Sequence, residues 1–249
     1  MTDFTEKKYR HLLETAKSND YTFLAFEEGV QKDIGPGKFC LLRHDIDADL
    51  GAALKMAQIE HSLGIKATYF LMLRSPVYNL FSRHNHRFVQ EIINLGHHIG
   101  VHYDGSFMPH NKKTINDWVH HEAAVLENMF NVKITTVSFH QPNEDILSNK
   151  VQITGLINTY DKSALGHFQY ISDSNKVWKS HHPEVIFKDG LHPKLHLLIH
   201  PMWWMQSEEN LPTSQVWDIT LKRNLDRMQE QLLATERAYG NKRKFDINE

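Results

Sequence analysis

Short apolar runs alternate with amphipathic segments along most of the chain. Each apolar run predicts a buried strand, at residues 39–44, 67–73, 99–103, 134–139 and 195–199, with further short strands at 153–160 and 168–171. The amphipathic segments predict helices at residues 5–17, 50–63, 86–95, 114–130 and 214–239. Asp49 is the expected N-cap of the second helix, and Thr114 or Asn116 that of the fourth. Strands that alternate with helices predict a parallel sheet covered by helices.

Size and composition predict a single folded domain over residues 1–249, with the long helix at 214–239 packed outside the sheet. Apolar residues make up 41% and charged residues 23%, which is typical of globular proteins. The net charge of −2 provides no basic field for nucleic acid. Cys40 is the single cysteine, so no internal disulfide forms. The first residues lack a signal-peptide pattern, and no apolar run predicts membrane insertion, so we expect a cytoplasmic protein.

The first polar cluster is Arg43-His44-Asp45-Ile46-Asp47, directly after an apolar run. On an extended chain, residues two apart share a face, so Arg43, Asp45 and Asp47 point the same way. Two carboxylates on one face repel each other unless a cation, a shared proton or an arginine lies between them. The alternative is a helix cap combined with a surface salt bridge.

The second cluster spans residues 96–104 and contains three histidines. If this segment is extended, His98, His102 and Asp104 lie on one face. We expect His102, at the end of the strand, to bind a metal ion. For His97 and His98 the preferred interpretation is that they satisfy buried backbone groups.

Two more strands end in a histidine, His140 and His200, each with a proline within two residues. A single histidine at a strand end usually just lies on the polar surface of the protein. Four strands that end in His or Asp instead indicate a shared site. In folds of this kind, functional residues gather at the carboxyl ends of the strands.

The order of these clusters resembles the NodB-homology, polysaccharide-deacetylase family (carbohydrate esterase family 4), over roughly residues 39–201. The resemblance implies a distorted (β/α)7-type barrel and metal-dependent deacylation. It implies that Asp45 is the catalytic base and that Asp47 binds the metal. Residues 96–102 match the second motif, with His98 where the family has Glu, and imply His102 as a ligand. The strand that ends in His200 matches the last motif, whose histidine is the general acid.

The chain departs from this family at two positions. Ser106 stands where the family has its second metal histidine, and His140 stands where the third motif has an arginine. A catalytic zinc site needs about three protein ligands. We therefore favour His140 as the third ligand, with His110 as an alternative; the other interpretation is that His140 only orients Asp45. The expected cofactor is a divalent metal ion, zinc first, with nickel, cobalt or iron as alternatives.

The leading functional hypothesis is removal of an acyl group, expected to be acetyl, from an amino sugar or a related small amide. The expected cytoplasmic location favours a precursor of a surface polysaccharide. We expect Asp173 and Trp203 on the substrate side, although core packing is the favoured role for at least two of Trp178, Trp203 and Trp204. The alternatives are an amide hydrolase with a non-sugar substrate and an inactive barrel that only binds carbohydrate. Ser106 is the feature that supports the inactive barrel.

Overall fold

The computed structural model describes residues 4–31, 34–107, 114–179 and 181–239. The strands are β1 (Tyr21–Leu24), β2 (Lys38–Ile46), β3 (Thr68–Leu71), β4 (His98–Asp104), β5 (Thr136–His140), β6 (Ile157–Asn158), β7 (Gln169–Ser172) and β8 (Lys194–Ile199). The helices are α1 (Glu6–Ser18), α2 (Phe26–Gly29), α3 (Leu50–Ser62), α4 (Arg83–Asn94), α5 (Ile115–Phe130), α6 (Glu144–Leu147), α7 (Lys162–Leu165), α8 (Pro183–Asp189), α9 (Pro201–Trp204) and α10 (Thr213–Thr235).

The strands form one parallel sheet in the order β6-β5-β4-β3-β2-β8-β7, and β1 pairs with the first half of β2. The sheet is a half-barrel with helices around it. This confirms the predicted α/β class, a parallel sheet covered by helices. All carboxyl ends of the strands lie at the same edge, so the polar clusters that follow them converge there.

The inner face of the sheet needs a glycine where two neighbouring side chains approach the backbone of β4. A Cβ atom on Gly100 would lie 2.6 Å from a ring carbon of Phe70 and 2.6 Å from Oγ1 of Thr136. The absence of a side chain at Gly100 therefore lets β3 and β5 fill the interior from both sides.

The helix-facing side of β2 and β3 buries a polar cluster around Glu60. His44 contacts the Glu60 carboxylate through Nε2 at 2.6 Å, and the Tyr69 hydroxyl donates to it at 2.6 Å. His97 bonds the backbone of Ala57 and Ala67 at 3.0 and 3.2 Å. The expectation that His97 satisfies buried backbone groups is therefore confirmed.

The long elements agree with the sequence prediction, whereas most of the short ones have no prediction. Asp49 caps α3 by accepting from two backbone N–H groups, and Thr114 caps α5 in a capping box. Strand β2 runs to Ile46, two residues beyond the predicted end. The elements without a prediction are β1, α2, α6, α7, α8 and α9. Helix α10 ends at Thr235, before the predicted residue 239, and Gly240 lies outside the described residues.

Helix α10 packs on the loop that follows β2. Asn224 donates to the carbonyl of Ala48 at 2.7 Å, and Arg227 pairs with Asp49 at 3.0 Å. Within the described ranges, no helix has the length and apolar character needed to cross a bilayer.

Candidate metal centre and catalytic site

Asp47, His102 and His140 meet at the carboxyl ends of β2, β4 and β5. Nε2 of His102 lies 3.0 Å from Oδ1 of Asp47, and Nδ1 of His140 lies 3.3 Å from the same oxygen. One ligand atom from each residue lies within 4.8 Å of the other two. The structure therefore brings together the three residues that the sequence suggested as metal ligands.

Strand register places the two histidines next to each other. His102 of β4 pairs with Ser138 of β5, and Asp104 pairs with His140. Because alternate residues share a face, Ser138 and His140 both point into the half-barrel. The strand ends at His140, and the next residue, Gln141, has a φ of 45°, in the left-handed region that non-glycine residues rarely adopt.

The donor set fits a divalent metal ion. Two imidazole nitrogens and one carboxylate oxygen are the kind of set that holds catalytic zinc. The side chains of Asp47 and His140 are 21% and 29% exposed, whereas that of His102 is 2% exposed. The cluster is thus open to solvent on the side of Asp47 and His140, as a site that admits a small substrate requires.

The two histidines also determine the charge of Asp47. Burial favours a neutral carboxyl, but hydrogen bonds from His102 and His140 outweigh it and hold the pKa of Asp47 well below its usual range. The hydrogen bond to Asp47 in turn raises the pKa of His140. Asp47 is therefore an anion at neutral pH.

Asp45 lies beside this cluster and is held by an arginine from its own strand. Arg43 donates to both carboxylate oxygens, from Nε at 2.8 Å and from Nη2 at 2.7 Å. The same Nη2 donates to the Tyr160 hydroxyl at 3.0 Å. Burial raises the pKa of Asp45, but Arg43 and then His102 outweigh it and lower that pKa to about 2. Asp45 is therefore a buried, ionised acceptor.

His200 approaches the cluster from the end of β8. Its Nδ1 lies 2.6 Å from Oδ1 of Asp173, and its Nε2 lies 3.8 Å from Oδ2 of Asp47. Burial lowers the pKa of His200, but Asp173 outweighs it and raises the pKa to about 9. Nε2 thus carries a proton on the side that faces Asp47.

Comparison with known proteins finds similarity at the level of structure. No protein-family model and no curated protein matches the sequence. A family 4 carbohydrate esterase from Bacillus anthracis is 13% identical, with a TM-score of 0.44 and coverage of 88% of this chain and 85% of that chain. IcaB from Ammonifex degensii is 15% identical, with a TM-score of 0.43 over 53% of this chain and 65% of that chain, just under two thirds.

A family 4 acetyl xylan esterase from Clostridium thermocellum, solved in complex with a cobalt ion, is 14% identical, with a TM-score of 0.43 over 78% of this chain and 90% of that chain. The chain resembles the family 4 carbohydrate esterases in fold. The chemistry of the site rests on the distances given above.

The remaining predicted residues lie in different surroundings. The structure corrects the expectation that Asp173 faces substrate: it is 0% exposed, and its carboxylate accepts from His200 and from Nε1 of Trp204. Trp203 is 7% exposed and packs near Trp217, so most of its ring belongs to the core, and its contact with substrate stays a prediction. Trp204 is also buried, at 2% exposure, which agrees with the core role favoured for most of these tryptophans.

The two alternatives for the third ligand are not equally placed. His110 lies outside the described residues. Ser106, at the position of the family's second metal histidine, donates from its hydroxyl to Asp104 at 2.7 Å. His140 is the histidine that the structure brings to Asp47 and His102 among the described residues.

Sequence reasoning missed two residues that contact the predicted ones. Ser138 lies within hydrogen-bond distance of both His102 and Asp45, and Tyr160 contacts Arg43. For Ser138 a signal existed, because it precedes His140 by two residues and so shares its face. Tyr160 ends the short strand predicted at 153–160, but it lies far from Arg43 in sequence, and no local pattern indicates their contact.

Proposed function

We propose that this chain is a metal-dependent hydrolase that removes an acyl group from an amino sugar or a related small amide. The observation that carries the proposal is the convergence of Asp47, His102 and His140, whose ligand atoms lie within 4.8 Å of one another. Asp45 and His200 flank this cluster with opposite charges.

Asp47, His102 and His140 would hold the metal ion. When bound, such an ion polarises a carbonyl oxygen and makes a water molecule more acidic. The side chains of this chain supply the proton transfers that amide hydrolysis also needs.

Asp45 is the general base in this proposal. Arg43 binds both of its oxygens, which fixes the plane of the carboxylate and keeps it ionised. Among the described residues Oδ2 accepts a hydrogen bond only from Arg43, so it keeps a lone pair that accepts the proton of the attacking water.

His200 is the general acid. Asp173 binds Nδ1, which leaves the proton on Nε2 directed to the side of Asp47. Breaking an amide bond requires that the leaving nitrogen is protonated, and an imidazolium held in this orientation supplies that proton. The division between an ionised aspartate and a protonated histidine matches the two proton transfers of the reaction.

The experiment is metal reconstitution followed by an assay for released acetate. Protein treated with a chelator is dialysed, loaded separately with zinc, cobalt, nickel or iron(II), and incubated with N-acetylated glucosamine oligomers and with simple N-acetyl amides. We expect activity that rises with metal content and saturates near one equivalent. Failure of every metal to restore hydrolysis of either substrate group would contradict the proposal.

Two aspartate variants separate the assigned roles. Asp45→Asn removes the base but not a ligand, so it should keep the metal and lower kcat by about 10²–10⁴-fold. Asp47→Ala should lose both the metal and the activity. If Asp45→Asn also empties the site, the roles of the two carboxylates are reversed or shared.

The metal reconstitution experiment also separates the proposal from the second candidate, an inactive barrel that binds carbohydrate. That candidate is favoured by Ser106, which stands at a ligand position of the family and bonds Asp104 instead. Binding of glucosamine oligomers without metal uptake would support it. Stoichiometric metal uptake with turnover would exclude it.

A further inference from the structure

The Ser138 hydroxyl lies between the predicted base and one predicted metal ligand. Ser138 is 0% exposed, and its register partner on β4 is His102. Its Oγ is 2.6 Å from Nδ1 of His102 and 3.3 Å from Oδ1 of Asp45. The direct distance between the two partners is longer, at 3.8 Å from Nδ1 of His102 to Oδ2 of Asp45.

The hydrogen bonds between His102, Ser138 and Asp45 can have only one donor-to-acceptor direction. Asp45, with Arg43 bound to both oxygens, is an acceptor only. The hydroxyl of Ser138 has one proton. If that proton pointed to His102, two oxygens with lone pairs would face each other at 3.3 Å in a buried site. The arrangement that uses both contacts has Ser138 donate to Asp45 and accept from Nδ1–H of His102.

This direction determines which nitrogen of His102 is left for a metal ion. With Nδ1 protonated by its bond to Ser138, the lone pair available for ligation is that of Nε2. Nε2 is also the nitrogen that faces Asp47, at 3.0 Å. Histidines that bind metals usually donate their other ring N–H to an acceptor, which fixes both the tautomer and the orientation of the ring.

We propose that Ser138 is a positioning residue that holds His102 in the tautomer able to bind the metal and connects that ligand to Asp45. The inference rests on the proposed function, because it assigns a task at the same metal site. The hydroxyl of Ser138 bonds His102 and Asp45. It acts through His102 and Asp45.

The chain offers a matched control on the same strand. Thr136 precedes Ser138 by two residues, points to the same side of β5 and is 2% exposed. Its hydroxyl has no hydrogen-bond partner within the part of the chain that the structure describes. Thr136→Val therefore removes a buried hydroxyl from β5 without touching His102 or Asp45, whereas Ser138→Ala removes the one that bridges them.

The test measures zinc affinity of the metal-stripped full chain by competition with a chromophoric chelator. Loss of a hydrogen-bond partner behind a metal ligand lowers metal affinity by about 10–100-fold, so Ser138→Ala should show a loss of this size. Thr136→Val should bind zinc as the unaltered protein does. Equal affinities for Ser138→Ala and the unaltered protein would overturn the inference, as would equal losses in both variants, because the second result indicates a general packing defect.

A second measurement on the unaltered protein keeps the inference testable if Ser138→Ala does not fold. Nitrogen-15 NMR of the zinc-bound protein reports which ring nitrogen of His102 carries a proton. We expect a proton on Nδ1 and zinc at Nε2; the reverse assignment overturns the role of Ser138. If the unaltered protein binds zinc and turns over substrate but Ser138→Ala shows no loss of zinc affinity, only this inference is refuted. Absence of zinc binding in the unaltered protein refutes the proposed function as well.

Discussion

Three aspartates around one site remain distinct because each has different partners. Asp45 is bound by Arg43, Asp47 faces the two histidines, and Asp173 lies beneath His200. A buried carboxylate is stable as an anion only when it is paired and hydrogen-bonded. In the proposed function, these separate pairings allow one aspartate to act as a base, one to bind a metal and one to support an acid.

Asp173→Asn tests the support of the general acid. The change keeps the shape of the side chain but removes the negative charge that raises the pKa of His200. Because His200 is not a proposed metal ligand, zinc affinity should stay unchanged, while kcat should fall by about tenfold or more. Steady-state kinetics of the metal-loaded variant measure this effect.

Trp204→Phe provides the control for that change. Trp204 donates to the other oxygen of Asp173 at 2.8 Å, so the variant removes a hydrogen bond but leaves the Asp173–His200 pair. We expect kcat near that of the unaltered protein at temperatures where the variant stays folded. A kcat for Asp173→Asn that matches Trp204→Phe would show that the charge of Asp173 has no role in proton transfer.

Alternation of side chains along an extended chain predicted much of the site at this scale. It placed Arg43 and Asp45 on one face, and the structure shows them in direct contact. It did not show Asp173 as the partner of His200, because 27 residues separate them in sequence and only the pairing of β7 with β8 brings them together. Contacts between distant segments have no signature in local periodicity.

Strand ends position the site, and helices fix the loops between them. Glu122 of α5 is 1% exposed and accepts from Nε of Arg74, in the loop after β3, at 2.7 Å. Its Oε2 has no hydrogen-bond partner in the described part of the chain. Burial therefore outweighs Arg74 and raises the pKa of Glu122 to about 7.

The raised pKa of Glu122 predicts a pH-dependent stability. The folded pKa lies above the usual value of 4.5, so the stability associated with the protonated form is present below about pH 4.5 and is lost as the pH rises through about 7. Glu122→Gln, which is neutral at every pH, should gain stability relative to the unaltered protein between pH 5 and pH 8. The difference in free energy of unfolding between Glu122→Gln and the unaltered protein should grow by up to about 2–3 kcal/mol from pH 5 to pH 8. Urea unfolding at the two pH values measures it.

Glu230→Gln is the control for removal of a carboxylate from a helix. The side chain of Glu230 is 67% exposed, so its loss should change the free energy of unfolding by less than about 0.5 kcal/mol. A difference between Glu122→Gln and the unaltered protein that does not change with pH would contradict the burial argument.

Elements were predictable from the sequence where they were long or began with a capping residue. Helices α3 and α5 have 13 and 16 residues and begin directly after Asp49 and Thr114, which cap them. Helices α6, α7 and α9 have 4 residues each, too few to show a period of 3.6. Strand β6 has only 2 residues, and the apolar run around it does not reveal where pairing begins.

At the scale of the whole molecule, the half-barrel and α10 are expected to unfold as one unit. The contacts of α10 with Ala48 and Asp49 fix it to the loop that follows Asp47, next to the site. We predict a single calorimetric transition whose van't Hoff and calorimetric enthalpies agree. Two stable fragments after limited proteolysis would contradict the single-domain prediction.

In the proposed function, Asp47, His102 and His140, from the ends of β2, β4 and β5, bind one metal ion. A crystal structure of the zinc-loaded protein, with anomalous data at the zinc edge, tests this claim most directly. We predict one strong anomalous peak, with ring nitrogens of His102 and His140 about 2.0–2.1 Å away and a carboxylate oxygen of Asp47 about 2.0–2.2 Å away. A peak that lacks His140 as a ligand, or zinc-soaked crystals with no peak between the three side chains, would contradict it.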